Sequence, residues 1–299
     1  MDILFGANVD PLYADPLEPI RRAQWVEKMG YDILAIQDHP YNNQFYDTWT
    51  LKTAIGMQTE RIRLGTNVSN LPLRPPVMLA KQAASLDVLT AGRVDVGLGA
   101  GAFWPGIKAM GGPEWDGKTA YRAFQDALHI LRGFWDHAGG GSFSYAGEVF
   151  SVKGMKPGPK PAHRINIWVG ALGPSMLKLT GRMADGILVS KNYMPPEKLD
   201  WVNEKINEGA ATAGRDPAAI RRGYNLMGVV DVGIPETTIS EQKTGFTMGP
   251  PEQWIAEITM LVQEKGMDTF FFWPAGEGKY AQLEAFAHEV IPAVRQAVG

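Results

Sequence analysis

The dipeptide Asp38-His39 places a carboxyl group beside an imidazole directly after a predicted β-strand. An imidazole titrates near neutral pH, so a pair of this kind can donate or accept a proton during a reaction. Of the five histidines, His39 alone follows a predicted strand, and the others lie in predicted helices or loops. We predict His39 and Asp38 as catalytic residues. The alternative is local: Asp38 caps a turn and His39 only bonds the backbone.

A second candidate is the glycine-rich stretch RVDVGLGAGAFWPG, residues 93–106. Its glycines satisfy G-x-G-x-x-[GA], the fingerprint of dinucleotide-binding loops, in which a helix begins within the glycines. Prolines at 105 and 113 follow, so we expect no regular helix to begin there, and three strand–helix pairs precede the motif. Both points favour a strand whose bare backbone at Gly99 and Gly101 lies against a flat ligand, with Gly97 relieving crowding inside the fold.

A third candidate is the sequence GALGPS, residues 170–175, which precedes a helical pattern. Proline is favourable in the first turn of a helix, and the free N–H groups beside it attract anions. We predict a phosphate site at this helix start.

These candidates must be positioned by short apolar segments that alternate with amphipathic ones. The predicted strands are Ile3–Val9, Asp32–Gln37, Ile62–Val68, Val94–Gly99, Ile165–Gly170, Gly186–Ser190, Tyr224–Val230 and Thr269–Trp273. The predicted helices are Leu17–Met29, Asp47–Gln58, Pro76–Leu89, 118–136, Pro174–Met183, Pro196–Ala213, Pro250–Lys265 and Tyr280–Ala297. Eight strand–helix pairs predict an α/β fold, a (β/α)8 TIM barrel formed by one domain over residues 1–299.

Three irregular stretches interrupt the alternation, at 101–117, 136–164 and 231–249. We interpret them as insertions in one domain, chiefly in the loops after strands 4 and 7. The middle stretch predicts a small hairpin, with a glycine turn followed by Phe143, Tyr145, Val149 and Phe150 in extended segments.

Polar residues are denser at the carboxyl ends of the predicted strands than along them, and active sites of such barrels form at these ends. The polar ends include Asn8 of strand 1, Thr66 and Asn67 of strand 3, and Ser190 of strand 6. A set of aromatic residues, Tyr13, Trp104 and Trp273, lies near the same ends. We expect them to converge on one site, although ordinary packing is an equal alternative for each aromatic residue.

Composition excludes several function classes. The 299 residues contain no cysteine, which rules out disulfides, thiol nucleophiles and cysteine–metal sites. The net charge of −3 comes without a basic block, which argues against nucleic acid as a partner. No GxSxG, HExxH or acidic cluster at metal spacing occurs, so we predict no metal. No apolar run is long enough to cross a membrane and no leader pattern opens the chain, so we expect a cytoplasmic protein.

Three segments together resemble the bacterial luciferase-like superfamily of flavin- and deazaflavin-dependent oxidoreductases. They are GYDILAIQDHP (30–40), residues 61–101 from RIRLGTNVSN to GLGAG, and INIWVGALGPSMLKLTGRMADGILVS (165–190). Within the superfamily the chain looks most like the branch that uses coenzyme F420, an 8-hydroxy-5-deazaflavin with a phospholactyl-oligoglutamate tail. The resemblance implies a homodimer and a cis peptide bond at Asn67-Val68, where strand 3 bulges behind the cofactor ring.

The resemblance also implies the site residues. Asp38 and His39 line the ring pocket, and Ala171, Leu172, Gly173 and Ser175 hold the phosphate. The full cofactor set is Asn8, Thr66, Asn67, Val68, Gly99, Ala100, Gly101, Gly170, Ala171, Leu172, Gly173, Ser175 and Ser190. The substrate pocket is assigned to Tyr13, Phe103, Trp104 and Trp273. F420-dependent glucose-6-phosphate dehydrogenases carry a glutamate just after the strand-4 glycines, where this chain has Ala102-Phe103-Trp104. This departure argues against sugar-phosphate oxidation and favours an apolar or aromatic substrate.

The first hypothesis is therefore an F420-dependent oxidoreductase. Hydride moves between the deazaflavin C5 and a small organic substrate, and His39 donates or accepts the accompanying proton. The alternative is an FMN-dependent monooxygenase that receives reduced flavin from a separate reductase and uses O₂. A non-catalytic flavin-binding protein and a nicotinamide dehydrogenase are further alternatives. Binding of the oligoglutamate tail would discriminate the first two, and Arg74, Lys108 and Lys191 are the candidate cations.

Overall fold

Parallel strands and helices alternate along residues 2–233 and 245–299, the part of the chain that the computed structural model describes. The strands are β1 (Leu4–Asn8), β2 (Ile33–Ile36), β3 (Arg63–Thr66), β4 (Ser69–Asn70), β5 (Asp95–Gly99), β6 (Phe143–Ala146), β7 (Ser151–Met155), β8 (Asn166–Gly170), β9 (Gly186–Ser190), β10 (Arg221–Val230), β11 (Thr247–Gly249) and β12 (Thr269–Pro274). The helices are α1 (Glu18–Lys28), α2 (Thr48–Gly56), α3 (Pro76–Leu89), α4 (Trp104–Ala109), α5 (Gly117–His137), α6 (Pro174–Met183), α7 (Leu199–Thr212), α8 (Pro251–Lys265), α9 (Lys279–Ala285) and α10 (Ile291–Val298). Short 3₁₀ helices cover Leu71–Leu73, Pro196–Lys198 and Pro217–Ala219.

The strands form the predicted barrel, in the order β3-β2-β1-β12-β10-β9-β8-β5. Each neighbouring pair in this order is parallel. The ring closes between β3 and β5 through a single parallel bridge, Leu64 to Val94. Above that bridge the side chain of Thr66 replaces the backbone ladder: its hydroxyl accepts from Gly97 N at 3.0 Å and donates to Gly97 O at 2.9 Å. The chain then bulges, and β4 resumes pairing with β5 at Leu98 and Gly99.

The barrel interior follows from the alternation of side chains along each strand. One set of inward residues packs as a separate apolar cluster, Ile33, Ala35, Trp168, Leu188 and Phe271, with Val68 against it. The opposite faces of the strands carry residues such as Phe5 and Phe272, which pack under the helices. Continuing the inward alternation toward the carboxyl ends places Asn8, Ser190 and Asn225 above the apolar cluster. The interior is therefore apolar below and amide-rich at the mouth.

The predicted elements agree with the observed ones within a few residues. α3 and α6 begin and end as predicted, because a proline in the first turn marks each start. The predicted hairpin is present as the antiparallel pair β6–β7, with Val149 and Phe150 in its loop rather than in its strands. The last predicted helix is divided by a π-helical turn at Phe286–Val290. Pro292 follows in the first turn of α10, and proline has no N–H for an α-helical bond.

Two predictions needed correction. A helix, α4, does begin directly after the glycine stretch, because Pro105 falls in its first turn, where no N–H is needed. This helix has only six residues and follows a barrel strand, so it does not support the interpretation of the glycines as a dinucleotide-binding loop. Predicted strand 3 is split into β3 and β4 by the bulge at 67–68.

The predicted insertion after strand 7 contains β11, which pairs with the end of β10. Residues 234–244 of that insertion lie outside the described residues. In the described ranges, no helix is both long and apolar enough to span a bilayer.

The seam between β3 and β5 generates a stability prediction. A Cβ at residue 97 would lie 1.9 Å from the carbonyl oxygen of Thr66, and backbone cannot move aside without opening the barrel. We expect Gly97→Ala to lower the free energy of unfolding by about 3 kcal/mol, measured by urea titration. Gly140→Ala is the matched control, since a Cβ there meets no atom within 4 Å. Equal unfolding midpoints for the two variants would contradict this account of the seam.

Candidate active site

A cavity of about 530 Å³ opens at the carboxyl ends of the barrel strands. It is lined by Asp38, His39, Tyr41, Asn67, Val68, Ser69, Asn70, Gly99, Ala100, Gly101, Ala102, Gly170, Ala171, Leu172, Leu188, Val189, Ser190, Asn192, Tyr193, Asn225, Met227 and Trp273. Twelve of the predicted site residues are among them: Asp38, His39, Asn67, Val68, Gly99, Ala100, Gly101, Gly170, Ala171, Leu172, Ser190 and Trp273. The predicted residues of six strand ends thus meet in one place.

A network of side-chain amides joins β1, β10 and the bulge after β3. Asn67 Nδ2 donates to Asn8 Oδ1 at 3.1 Å and to Asn225 Oδ1 at 2.6 Å. Asn225 Nδ2 donates to Asn67 Oδ1 at 3.2 Å and to Ser190 Oγ at 3.0 Å. The network holds Asn67 from two sides of the barrel, so the bulge is tied to the opposite wall. Asn8 supports this network without lining the cavity.

The peptide bond between Asn67 and Val68 is cis, as the resemblance implies. Val68 projects onto the glycines of the neighbouring strands: a Cβ at Gly99 or at Gly170 would lie 2.6 or 2.9 Å from Val68 Cγ2. Gly101 has φ +94°, and its Cβ would lie 2.7 Å from Pro72 Cγ. The glycine stretch therefore makes room first for the bulge. Gly99 and Gly101 still contribute backbone to the cavity wall.

The carboxylate of Asp38 is held by Arg74 and by the backbone. Arg74 Nε donates to Asp38 Oδ2 at 2.6 Å and Arg74 Nη2 to Oδ1 at 2.8 Å. Asn70 N also donates to Oδ2, at 2.8 Å. The Asp38 side chain is 1% exposed, so these charge-assisted bonds replace water almost entirely. Asp38 thus clamps the end of β2 to β4, and its oxygens bond Arg74 and Asn70 rather than the imidazole beside it.

His39 lies on the cavity wall with its ring accessible to solvent. Its Nδ1 is 2.8 Å from the hydroxyl oxygen of Tyr41. The surrounding protein lowers the pKa of His39 below its usual value, because desolvation disfavours the charged ring more than the Asp38 carboxylate favours it. Burial and Asp38 raise the pKa of Tyr41, so its hydroxyl keeps its proton. A neutral imidazole of this kind can accept a proton near pH 7.

Trp273 is oriented from behind by an acidic residue. Its indole nitrogen donates to Asp10 Oδ1 at 3.0 Å, and Gln37 Nε2 donates to the same oxygen at 3.0 Å. Lys279 Nζ lies 3.2 Å from Asp10 Oδ2. The indole therefore presents its apolar surface to the cavity with its polar edge already bonded.

Four other predicted residues lie off the cavity wall. Tyr13 is exposed, and its hydroxyl donates to Asn43 O at 2.6 Å. The ring of Phe103 packs on Tyr41, with centroids 5.2 Å apart, and that of Trp104 packs on Trp115 at 6.3 Å. Thr66 is buried in the barrel seam. Tyr13, Trp104 and Thr66 thus make structural contacts, whereas Phe103 borders the cavity through Tyr41.

The remaining two, Gly173 and Ser175, lie at the start of α6, beside a second cavity. This cavity has a volume of about 550 Å³ and is lined by Gly117, Lys118, Tyr121, Ser175, Lys178 and Arg182. Arg182 Nη2 donates to the Tyr121 hydroxyl at 2.5 Å, and Lys178 pairs with Glu208 at 2.6 Å. We call Lys118, Lys178 and Arg182 the basic cluster.

The basic cluster was missed from the sequence, although one signal was available: residues 175, 178 and 182 have the i, i+3, i+7 spacing of one helix face. None of the cations proposed instead lines either cavity, and each pairs with an acidic residue. Arg74 bonds Asp38 and Asp47, and Lys191 pairs with Glu257. Lys108 pairs with Glu114 on the surface.

Other missed cavity residues are Tyr41, Asn225, Asn192, Tyr193 and Met227. Asn225 lies in the middle of the ten-residue strand β10 and is level with Ser190, the last residue of β9. Only the register between strands reveals that a mid-strand residue reaches the mouth.

Comparison with known proteins identifies the relatives of this architecture. A family model described as luciferase-like monooxygenase matches residues 5–234. The chain is similar to the 5,10-methylenetetrahydromethanopterin reductase of Methanolobus tindarius, with 32% identity over 217 residues, which are 72% of this chain and 62% of that protein. It is similar to the F420-dependent glucose-6-phosphate dehydrogenase of Microbacterium testaceum, with 27% identity over 268 residues, 87% of this chain and 75% of that protein. The match thus spans less than two thirds of the reductase.

Solved structures share the fold at lower identity. An F420-dependent secondary alcohol dehydrogenase in complex with an F420–acetone adduct superposes with a TM-score of 0.86, at 22% identity, over 99% of this chain and 100% of that one. A long-chain alkane monooxygenase gives a TM-score of 0.79, at 15% identity, over 99% of this chain and 92% of that one.

The Asp38 clamp generates a second stability prediction. Arg74→Met removes both charge-assisted bonds and leaves a buried carboxylate without its partner, so we expect a loss of about 3 kcal/mol in the free energy of unfolding. Adding Asp38→Asn removes the stranded charge, and the double variant recovers part of that loss. Lys108→Met, which breaks an exposed ion pair, is the control and should change little. Additive effects of the two clamp substitutions would refute the coupling.

Proposed function

The chain belongs to the luciferase-like monooxygenase family of enzymes, and on that premise we propose that it is an oxidoreductase that uses coenzyme F420. The observation that carries the choice of cofactor is the basic cluster beside the start of α6. The tail of F420 is a phosphodiester followed by several carboxylates, which is complementary to three cations on one surface. FMN ends at its phosphate and would leave those cations without a partner from the ligand.

The first cavity suits the ring of such a cofactor. Its wall contains backbone at Gly99 to Gly101, an apolar side chain at Val68 and amides of Asn67 and Asn225. Asn70 is 6% exposed, and its Oδ1 has no hydrogen-bond partner within the described ranges. A buried acceptor of this kind is costly unless a ligand donor reaches it, and a deazaflavin ring carries N–H and O–H donors on its edges. We therefore assign the ring to this cavity.

The phosphate is assigned to the start of α6. Gly173 and Ser175 precede and open this ten-residue helix, whose first N–H groups attract an anion. Gly173 leaves the approach open, since a Cβ there would meet no atom within 4 Å. Ala171 and Leu172 line the first cavity, so one segment, 170–175, connects the ring site to the phosphate site and the basic cluster.

When bound, the deazaflavin supplies a carbon that exchanges hydride with the substrate, and the chain supplies position and a proton. His39 holds that proton: in its neutral form the ring accepts one from a substrate hydroxyl, and in the reverse direction the charged ring returns it. Asp38 fixes the strand end that carries His39, and Trp273 forms part of the cavity wall.

The substrate is proposed to be a small apolar or aromatic molecule. Exposed Leu172 and Tyr193, together with Met227 and Trp273, make much of the cavity surface apolar. No lysine or arginine occurs among the residues lining this cavity, so a phosphorylated sugar would lack a countercharge. The segment Ala102-Phe103-Trp104, which follows the glycines where the sugar-phosphate enzymes carry a glutamate, adds no acid to the wall.

The proposal includes two protein partners: a second copy of this chain and, for the alternative function, a separate reductase. The resemblance implies a homodimer, and apolar side chains exposed on one region of the surface support it: Met78, Val88 and Leu89 of α3, and Met57 directly after α2. The second candidate function, an FMN-dependent monooxygenase, is favoured by structural similarity to monooxygenases. It would require reduced flavin from a separate reductase.

Cofactor choice is testable by titrating the protein with F420, FMN and NADPH and following fluorescence quenching. We expect F420 to bind most tightly, and tight FMN binding with no response to F420 would overturn the proposal.

The basic cluster is testable by substitution. The double variant Lys118→Gln, Arg182→Gln should lower the affinity for F420 at least tenfold, because two charge-assisted contacts are lost. The same pair should leave binding of the tail-less 8-hydroxy-5-deazariboflavin unchanged. Lys108→Gln is the matched control, because Lys108 lines neither cavity and pairs with Glu114 on the surface.

The role of His39 is testable by substitution and by pH. His39→Ala should lower turnover about 100-fold with cofactor affinity retained, because general acid–base catalysis is removed. Since desolvation lowers the pKa of His39 from its usual value, the neutral base predominates at pH 7. The rate of the proton-accepting direction should therefore be flat from pH 7 upward and fall only as the pH drops through that lowered pKa. Undiminished turnover in His39→Ala would remove this residue from the chemistry.

A further inference from the structure

A residue that no sequence pattern singled out, Tyr41, shares the cavity wall with His39. Its hydroxyl oxygen lies 2.8 Å from His39 Nδ1, and the two rings are tilted with centroids 5.6 Å apart. Residues two apart in an extended chain point to the same side, but their side chains lie about 7 Å apart. Here a turn brings them together, because Asn42 N donates to His39 O at 2.8 Å.

The tyrosine ring is held in place by its neighbours. Phe103 packs on it at 5.2 Å between centroids. Gly106 of α4 leaves room for it, since a Cβ there would lie 2.7 Å from Tyr41 Cγ. The loop after β5 therefore contributes to the site by fixing Tyr41 from behind.

Tyr41 is also the protein group that bonds the imidazole. Asp38, the nearest charge, has its oxygens bonded to Arg74 and Asn70, and it influences the ring only through space. Within residues 2–233 and 245–299, His39 Nε2 has no hydrogen-bond partner. Because Nδ1 is occupied by Tyr41, a substrate proton can enter or leave the ring only through Nε2.

We propose that Tyr41 is a positioning residue whose hydroxyl oxygen accepts the Nδ1–H of His39, so that the neutral ring keeps its lone pair on Nε2. The proton balance requires this direction. If the tyrosine donated to Nδ1, Nε2 would carry the hydrogen and the neutral ring could accept nothing from the substrate. With Nδ1–H donated to Tyr41, the substrate O–H bond breaks, Nε2 takes the proton, and the same bond to Tyr41 persists in the imidazolium.

This inference rests on the proposed function only for its use in proton transfer, because the tautomer itself is measurable without cofactor or substrate. Imidazole ¹⁵N shifts of the full-length protein, labelled at its five histidines, report which ring nitrogen carries hydrogen. The His39 signals are those that His39→Gln removes.

We expect the Nδ1–H form in the wild-type protein at neutral pH. Tyr41→Phe retains the ring and its packing but removes the acceptor, so the population should shift toward Nε2–H and the pKa of His39 should fall further. Tyr193→Phe is the matched control: this second cavity tyrosine has no hydrogen bond from its hydroxyl in the described structure. An Nε2–H form in the wild-type protein, or a tautomer ratio that Tyr41→Phe leaves unchanged, would overturn the inference.

An activity arm separates the two proposals. With F420 and a turned-over substrate, Tyr41→Phe should lower kcat about tenfold and move the acidic limb of the pH profile to lower pH, with the KM for cofactor unchanged. A protein that binds no F420 yet shows the Nδ1–H form would refute the proposed function and support the role of Tyr41. A Tyr41→Phe variant with wild-type kcat and pH profile would refute that role even where F420 is bound.

Discussion

The structure depends on one close approach, between the carbonyl oxygen of Thr66 and the bare α-carbon of Gly97. Here the barrel closes, and a side chain at residue 97 would meet backbone at 1.9 Å. The Thr66 hydroxyl completes the seam by bonding both polar groups of Gly97. Beyond the seam the chain bulges into the interior, and residues 99 and 170 must be glycine because Val68 occupies the space of a Cβ there. The glycine pattern that suggests a nucleotide loop therefore serves the barrel: Gly97 permits the seam and Gly99 accommodates Val68.

Hydrogen bonds and an ion pair then fix the side chains of Asp38 and His39 beside the bulge. The carboxylate of Asp38 joins β2 to β4 through Asn70 N and the guanidinium of Arg74. Asp38 is satisfied by these partners, so the Nδ1 hydrogen bond of His39 is made with Tyr41 instead. Desolvation exceeds the attraction of the remaining charge and lowers the pKa of His39. The two residues therefore have different roles: the carboxylate of Asp38 stabilises the scaffold, and the imidazole of His39 lies on the cavity wall.

The two cavities have complementary chemistry. One combines amides, bare backbone and apolar side chains, and the other carries the basic cluster on α5 and α6. The segment 170–175 passes from the first cavity to the second. A ligand with a planar ring at one end and anionic groups at the other matches this order, which supports the choice of F420 over FMN. The substrate side, without lysine or arginine, favours a molecule that carries no phosphate.

The sequence by itself determined the elements and their order. Apolar segments of strand length, amphipathic segments of helix length and prolines in first turns are local signals, so α3 and α6 could be delimited to the residue. Local signals also placed His39 at a strand end, and family likeness located the cis peptide at Asn67. The tertiary structure alone decided which groups meet: Arg74 with Asp38, Asn225 with Asn67, Tyr41 with His39. Such pairs depend on strand register, barrel closure and the course of loops, which bring together residues as distant as Asn67 and Asn225, 158 positions apart in the chain. No periodicity within a segment encodes a distance of that kind, so these contacts appear only when the barrel closes.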